Sequence, residues 1–190
     1  MQNFKCLGRE IMFTRKYMKD YKIEYDETPE GRLKARAVYT GRYYTFIDTD
    51  EKVRKTAKYF ALLLSVAWIA FLAPFFWISA AARTFYIVLP HVSCLLPMMG
   101  MSAATANLWT EKPPLTQEKR DRISRRAPIS ALLMVLLSCV ASAGFIILLF
   151  VGPETMLWGD LAFALCDAAL LAASILLYAG RGRTATRETA

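Results

Sequence analysis

Between Lys58 and Glu111 the chain runs for 52 residues with one charged side chain, Arg83. About 20 apolar residues cross a bilayer core roughly 30 Å thick. This stretch is therefore long enough to cross, turn near Arg83 and return. A second run of the same kind fills Ala127 to Gly180. Inside hydrocarbon each segment must satisfy its own backbone N–H and C=O groups, which favours helices. The expected fold class is an all-α membrane protein: an up-down-up-down bundle of four transmembrane helices with a small N-terminal cytoplasmic β-meander.

The organisation follows from where apolar runs begin and end. Residues 1–57 make a basic, tyrosine-rich cytoplasmic region, with a β-hairpin or three-stranded meander over about 21–47. Residues 58–180 carry the spans, at about 59–79, 85–109, 128–151 and 157–178. Residues 181–190 are a polar cytoplasmic tail, expected to be disordered as chain ends often are.

Charge sets the orientation. The net charge is +8 although 55% of the chain is apolar, so the two properties must be segregated. Of 24 Lys and Arg residues, 14 precede Tyr59, six lie between Glu111 and Arg126, and three lie in the tail. The two short turns hold one and none. Basic residues are retained in the cytoplasm, so both termini are expected there, in a multi-pass protein of the cell membrane. The same clusters suit anionic lipid headgroups, and nucleic acid is not needed to explain them. No secretory leader is expected, because the first apolar run begins near residue 59. Cys6, Cys94, Cys139 and Cys166 show no paired spacing, so neither a structural disulfide nor a zinc site is expected.

Within residues 1–20 a short amphipathic helix would place Ile11, Met18 and Tyr21 on one arc. Tyr21, Ile23 and Tyr25 alternate with charged residues, as in a half-buried strand. Thr28-Pro29-Glu30-Gly31 is turn chemistry, and Leu33, Ala35, Ala37 and Tyr39 alternate on the return. Thr40-Gly41 makes a second turn before a third strand over Tyr43–Ile47. So small a sheet is marginal alone in water, so it should cap the inner ends of the helices or offer an edge to a partner. Thr49 or Asp50 can cap the first span helix, and Thr116 a basic helix running to Arg126. Pro74 should kink the first span slightly, Pro90 and Pro97 should bend or unwind the second, and Gly152-Pro153 should end the third. A faint echo links the halves: Val66-Ala67 then Phe71, and Val140-Ala141 then Phe145.

Few residues in the spans carry chemistry. Asp167 lies near the centre of the fourth, where an ionised carboxylate is expensive without a partner, water or a proton. Asp160 lies seven residues earlier and Ser174 seven later, on one helix face. His91 is the single histidine, with a pairing to Asp160 expected at matching depth. These four, Asp167, Asp160, His91 and Ser174, form the candidate intramembrane polar site, for proton, cation or polar-substrate handling or simply as interhelical glue. His91, Cys94, Met98 and Met101 also share a face with soft donors for Cu(I) or haem, although such residues more often pack. No cofactor or metal is expected. Gly159, Ala162, Cys166, Ala169 and Ala173 form a candidate helix-packing face, and Ser138 and Ser142 a smaller one.

No nucleotide-binding loop, metalloprotease helix or nucleophile elbow occurs in the sequence. No catalytic residue is assigned. The leading expectation is a non-enzymatic scaffold or accessory subunit that assembles through its spans, as a homo-oligomer or with a membrane partner. The first alternative is a small transporter or channel component using Asp167. The second is a membrane-bound sensor with a cytoplasmic β module.

Overall fold

The computed structural model describes residues 15–27, 33–111, 113–151 and 158–188. Strands β1 (Tyr21–Glu27), β2 (Leu33–Tyr39) and β3 (Tyr44–Phe46) come first. Helices α1 (Asp50–Leu72), α2 (Phe85–Ser93), α3 (Leu95–Thr110), α4 (Gln117–Arg120), α5 (Ala127–Val151) and α6 (Trp158–Ala179) follow, then strand β4 (Thr186–Glu188). Four stretches are long and apolar enough to cross a membrane: Asp50–Phe76, Phe85–Thr110, Gln117–Val151 and Trp158–Thr184. The expected turns at Thr28–Gly31 and Gly152-Pro153, and most of the helix expected in residues 1–20, lie outside the described residues. A 3-10 turn is seen at Arg15–Asp20.

Pro90, expected to bend or unwind the second span, lies inside α2, which continues through it. Pro97 has no N–H to give the carbonyl of Ser93. The second span breaks there, with Cys94 as a hinge between α2 and α3. α1 ends at Leu72, and Pro74 lies in a 3-10 turn, Ala73–Phe76, beyond it. Thr116 and Thr49 stand at helix starts without a capping side-chain hydrogen bond. The helix begun at Gln117 passes through a π-helical turn, Asp121–Arg126, straight into α5.

Each long stretch buries one stripe at alternating spacings of three and four. On α1 it includes Val53, Phe60, Leu64, Ala67 and Phe71. On α2 and α3 it runs Ile87, His91, Cys94, Met98, Met101, Thr105 and Leu108. On α5 it runs Ala127, Ala131, Met134, Ser138, Ala141 and Phe145, and on α6 Asp160, Phe163, Asp167, Leu170, Ser174 and Leu177. Alternating threes and fours is the spacing by which one face of a helix meets its neighbours. α1 packs on α3 and α6, and α5 packs on α2, α3 and α6. The opposite faces carry exposed apolar side chains, among them Leu62, Ile69, Leu96, Phe150 and Trp158. Burying one such side chain is worth about 1.5–3 kcal/mol in water, so outward faces of this kind suit hydrocarbon or another helix.

Two features correct the expected meander and tail. β1 and β2 form the hairpin, Tyr21 opposite Tyr39 and Tyr25 opposite Ala35, but the face expected to be half-buried is open, with Ile23 and Tyr25 exposed. β3 does not join it. Its partner is β4 in the tail, Tyr44 opposite Glu188 and Phe46 opposite Thr186, so residues 186–188 are ordered strand. Tyr44 also exchanges two backbone hydrogen bonds with Leu115, and Arg42 meets Glu188 at 3.2 Å. A two-stranded ribbon needs a surface to rest on. The 111–126 connection supplies it, through buried Leu115 and the Arg120 guanidinium over the Tyr44 ring at 4.5 Å.

The hairpin is tied to the same connection by tyrosine hydroxyls. Tyr17 donates to Asp121 at 2.8 Å. The Tyr39 hydroxyl accepts the N–H of Gln117 at 3.0 Å and donates to the Arg42 carbonyl at 2.8 Å, capping α4 where Thr116 was expected to. Burial pushes Tyr39 above the ordinary tyrosine value of 10.0, and burial with the nearby Glu118 carboxylate does the same to Tyr21. A raised folded-state value means stability that is complete below about pH 10 and is lost as pH climbs through the folded value. Alkaline solution above pH 10 should therefore free residues 21–39 to proteolysis before α1 opens. Tyr39→Phe should free them at neutral pH, at a cost of about 1 kcal/mol. Hairpin cleavage rates unchanged by both treatments would remove the tyrosine latch.

Candidate functional site

One polar cluster gathers a group from each of the four stretches. His91 follows Pro90 on α2, and its ring is buried. Nε2 lies 3.2 Å from the carbonyl of Phe71, in the last turn of α1 where carbonyls lack in-helix donors. Nδ1 faces Oδ1 of Asp167 on α6 at 3.6 Å. The other carboxylate oxygen, Oδ2, accepts the hydroxyl of Ser142 from α5 at 2.5 Å. Phe71, His91, Ser142 and Asp167 thus join four helices at one level.

Hydrogen-bond chemistry fixes most of the protons. A carbonyl only accepts, so the hydrogen facing Phe71 sits on Nε2. Nδ1 and Oδ1 remain, both buried and without a hydrogen bond. Two polar groups buried in this way are costly apart and tolerable only as a pair.

Aromatic rings close around the pair. Phe71 stacks on the imidazole with centroids 5.1 Å apart and planes 9° from parallel. Phe163 approaches at 5.2 Å and Phe75 at 6.1 Å. Phe71 belongs to the larger apolar core and Phe163 to a smaller one with Ala81, Ile87 and Phe145. The polar cluster is the seam between these two cores.

The other candidates are placed differently. Asp160 does not pair with His91: seven residues of helix separate it from Asp167 by about 10 Å. It accepts the N–H of Ala81 at 3.1 Å instead, holding the turn between α1 and α2. Ser174 is buried but bonds back to the Leu170 carbonyl of its own helix at 2.7 Å. Cys94, Met98 and Met101 lie along the core-facing seam below His91, and Cys94 Sγ is 3.9 Å from the Ser138 hydroxyl. Among the described residues no three His, Cys, Asp or Glu side chains gather as metal ligands would. On the small-residue face Ala173 is buried, while Gly159, Ala162, Cys166 and Ala169 are half-buried beside the polar stripe. Ser142, read from sequence as a packing residue, is the hydroxyl that holds Asp167. The Phe71 carbonyl had no sequence signal of its own beyond Pro74 nearby.

Fold and cluster together define a class: a mostly helical chain with four helices of membrane-crossing length and a buried His–Asp–Ser centre, flanked by two small strand pairs. No family model matches the chain, and neither the curated proteins nor the solved structures contain a match.

Proposed function

We propose that this chain is a non-enzymatic integral membrane subunit. Its four helices cross a cell membrane in up-down-up-down order with both termini in the cytoplasm, and it assembles through its outer faces with itself or a partner. The observation that carries this reading is the four-way polar cluster. One group comes from each span, and each is wrapped by phenylalanine or bonded to a neighbour. Such a centre fixes the spans to one another, as interhelical polar contacts do in hydrocarbon. Ala162, Cys166 and Ala169, half-buried beside exposed Leu161 and Leu165, leave a shallow face suited to another span.

Reporters fused at Met1 and Ala190 should both answer from the cytoplasm. Light scattering in a mild detergent should give a protein mass above the 21.5 kDa of one chain. Reporters answering from opposite sides, or a lone folded chain, would overturn the reading.

A second reading, a small transporter or channel component, is favoured by one observation: an imidazole nitrogen and a carboxylate oxygen face each other, buried and without another partner. Proton flux in proteoliposomes that disappears in Asp167→Asn, with the fold intact, would select it over the first.

A further inference from the structure

A groove lies between α1 and α3, away from the polar centre. At one end is a cavity of about 450 Å³ lined by Glu51, Arg54, Lys55, Lys58 and Trp109. Trp109 also lines a second cavity of about 330 Å³, which continues between Ala61, Ser65, Ser102 and Ala106 as far as Trp68. The Trp68 indole donates to Ser102 at 3.2 Å and pins the far end.

The two halves differ in chemistry. In the first, Glu51 is taken up by Lys55 at 2.8 Å, and Arg54 and Lys58 remain exposed and without a carboxylate partner among the described residues. The mouth is therefore net positive. The second half is floored by small side chains, and the hydroxyls of Ser65 and Ser102 are already bonded to the Ala61 and Met98 carbonyls. It offers an apolar channel and little for a polar ligand to bond. From Lys58 to Trp68 is ten residues of helix, about 15 Å, which is half of a hydrocarbon core roughly 30 Å thick. A neighbouring helix would need a groove of twice that length; one acyl chain needs this one.

We propose that this groove binds an anionic glycerophospholipid of the cytoplasmic leaflet, its phosphate at Arg54 and Lys58 and one acyl chain along Ala61, Ser65 and Ala106. The inference rests on the four-span reading given above. Trp109, more than half exposed beside the basic mouth, sits where indoles favour the interface. Each basic residue near a charged surface is worth about 1 kcal/mol, a factor of about five in affinity.

The test is native mass spectrometry of the full chain, delipidated in a mild detergent and titrated with phosphatidylglycerol or phosphatidylcholine. Wild type should retain phosphatidylglycerol about tenfold better. Arg54→Gln and Lys58→Gln should each lower its retention about fivefold and lower that of phosphatidylcholine less, because choline offsets its phosphate charge. Ala106→Leu, which fills the channel on an exposed face, should weaken both lipids. Glycerophosphate, the headgroup chemistry without chains, should not compete at equal concentration. Equal retention of the two lipids, an Ala106→Leu protein that binds as wild type, full competition by glycerophosphate, or a second chain occupying the groove would each overturn the proposal. The topology reporters keep the two failures apart: same-side signals with no lipid preference would sink the lipid site alone.

Discussion

Asp167→Leu should destabilise the folded protein by about 2–4 kcal/mol, while Asp167→Asn should stay within about 1 kcal/mol of wild type. Leucine leaves the Ser142 hydroxyl without its acceptor and takes away the carboxylate facing His91 Nδ1, and buried polar groups left alone are the costly outcome. Asparagine keeps both halves of the exchange: its carbonyl can accept from Ser142 and its amide can donate to Nδ1. The range is wide because interhelical hydrogen bonds in membranes are often worth only about 0.6 kcal/mol, whereas breaking a buried pair costs several. Enclosure of this pair by three phenylalanines argues for the upper part. His91→Leu should fall near Asp167→Leu, and the double leucine variant should cost clearly less than the sum, since it leaves no half-made pair. Unfolding midpoints in one detergent give all four values. An Asp167→Leu protein as stable as Asp167→Asn would mean that the cluster holds nothing together.

How far this centre was legible in the sequence differs by residue. Asp167 and His91 stood out because charge and imidazole are rare in apolar runs. Their meeting did not, because periodicity places residues on a helix face but does not fix how far one helix slides along another. Asp160, the expected partner, lies about two turns of helix from that level. Ser142 was visible only as a small residue, since a hydroxyl carries no mark of which neighbour it will serve. The Val-Ala then Phe echo has a counterpart in packing. Ala67 and Ala141 are fully buried, Phe71 stacks on His91, and Phe145 stacks on Phe163. The helices themselves were readable from length and hydropathy, and the β1–β2 register from alternation. The β3–β4 pairing was not, because it joins segments about 140 residues apart through three residues on each side, too short for any periodicity to declare itself.

Gly159→Ala should lower stability by about 2–3 kcal/mol and Gly159→Leu should prevent folding, the largest effect expected at any small residue of α6. A Cβ built on Gly159 runs into the backbone carbonyl of Ile78, with Ser79 Cβ 3.4 Å away on the same side. That carbonyl belongs to the connection after α1, which Asp160, one residue on, also holds through Ala81. Neither chain can back away without giving up that bond, so the clash must be relieved by moving a helix. Two other glycines serve as internal controls. At Gly100 the nearest obstacle is the Ser130 hydroxyl at 2.8 Å, the end of a side chain that can rotate. Gly100→Ala should therefore be neutral or gain up to about 1 kcal/mol from helix propensity. At Gly144 a methyl would meet Ile87 Cγ1 at 3.1 Å and the Tyr86 carbonyl at 3.3 Å, a tight but yielding contact. Its alanine variant should stay within about 1 kcal/mol of wild type, the propensity gain offsetting the squeeze. The order Gly100, Gly144, Gly159 in falling unfolding midpoint is the expected result. A Gly159→Ala protein as stable as Gly100→Ala would show that α6 does not rest against the Ile78 backbone, and the hold of Asp160 on that turn would fall with it.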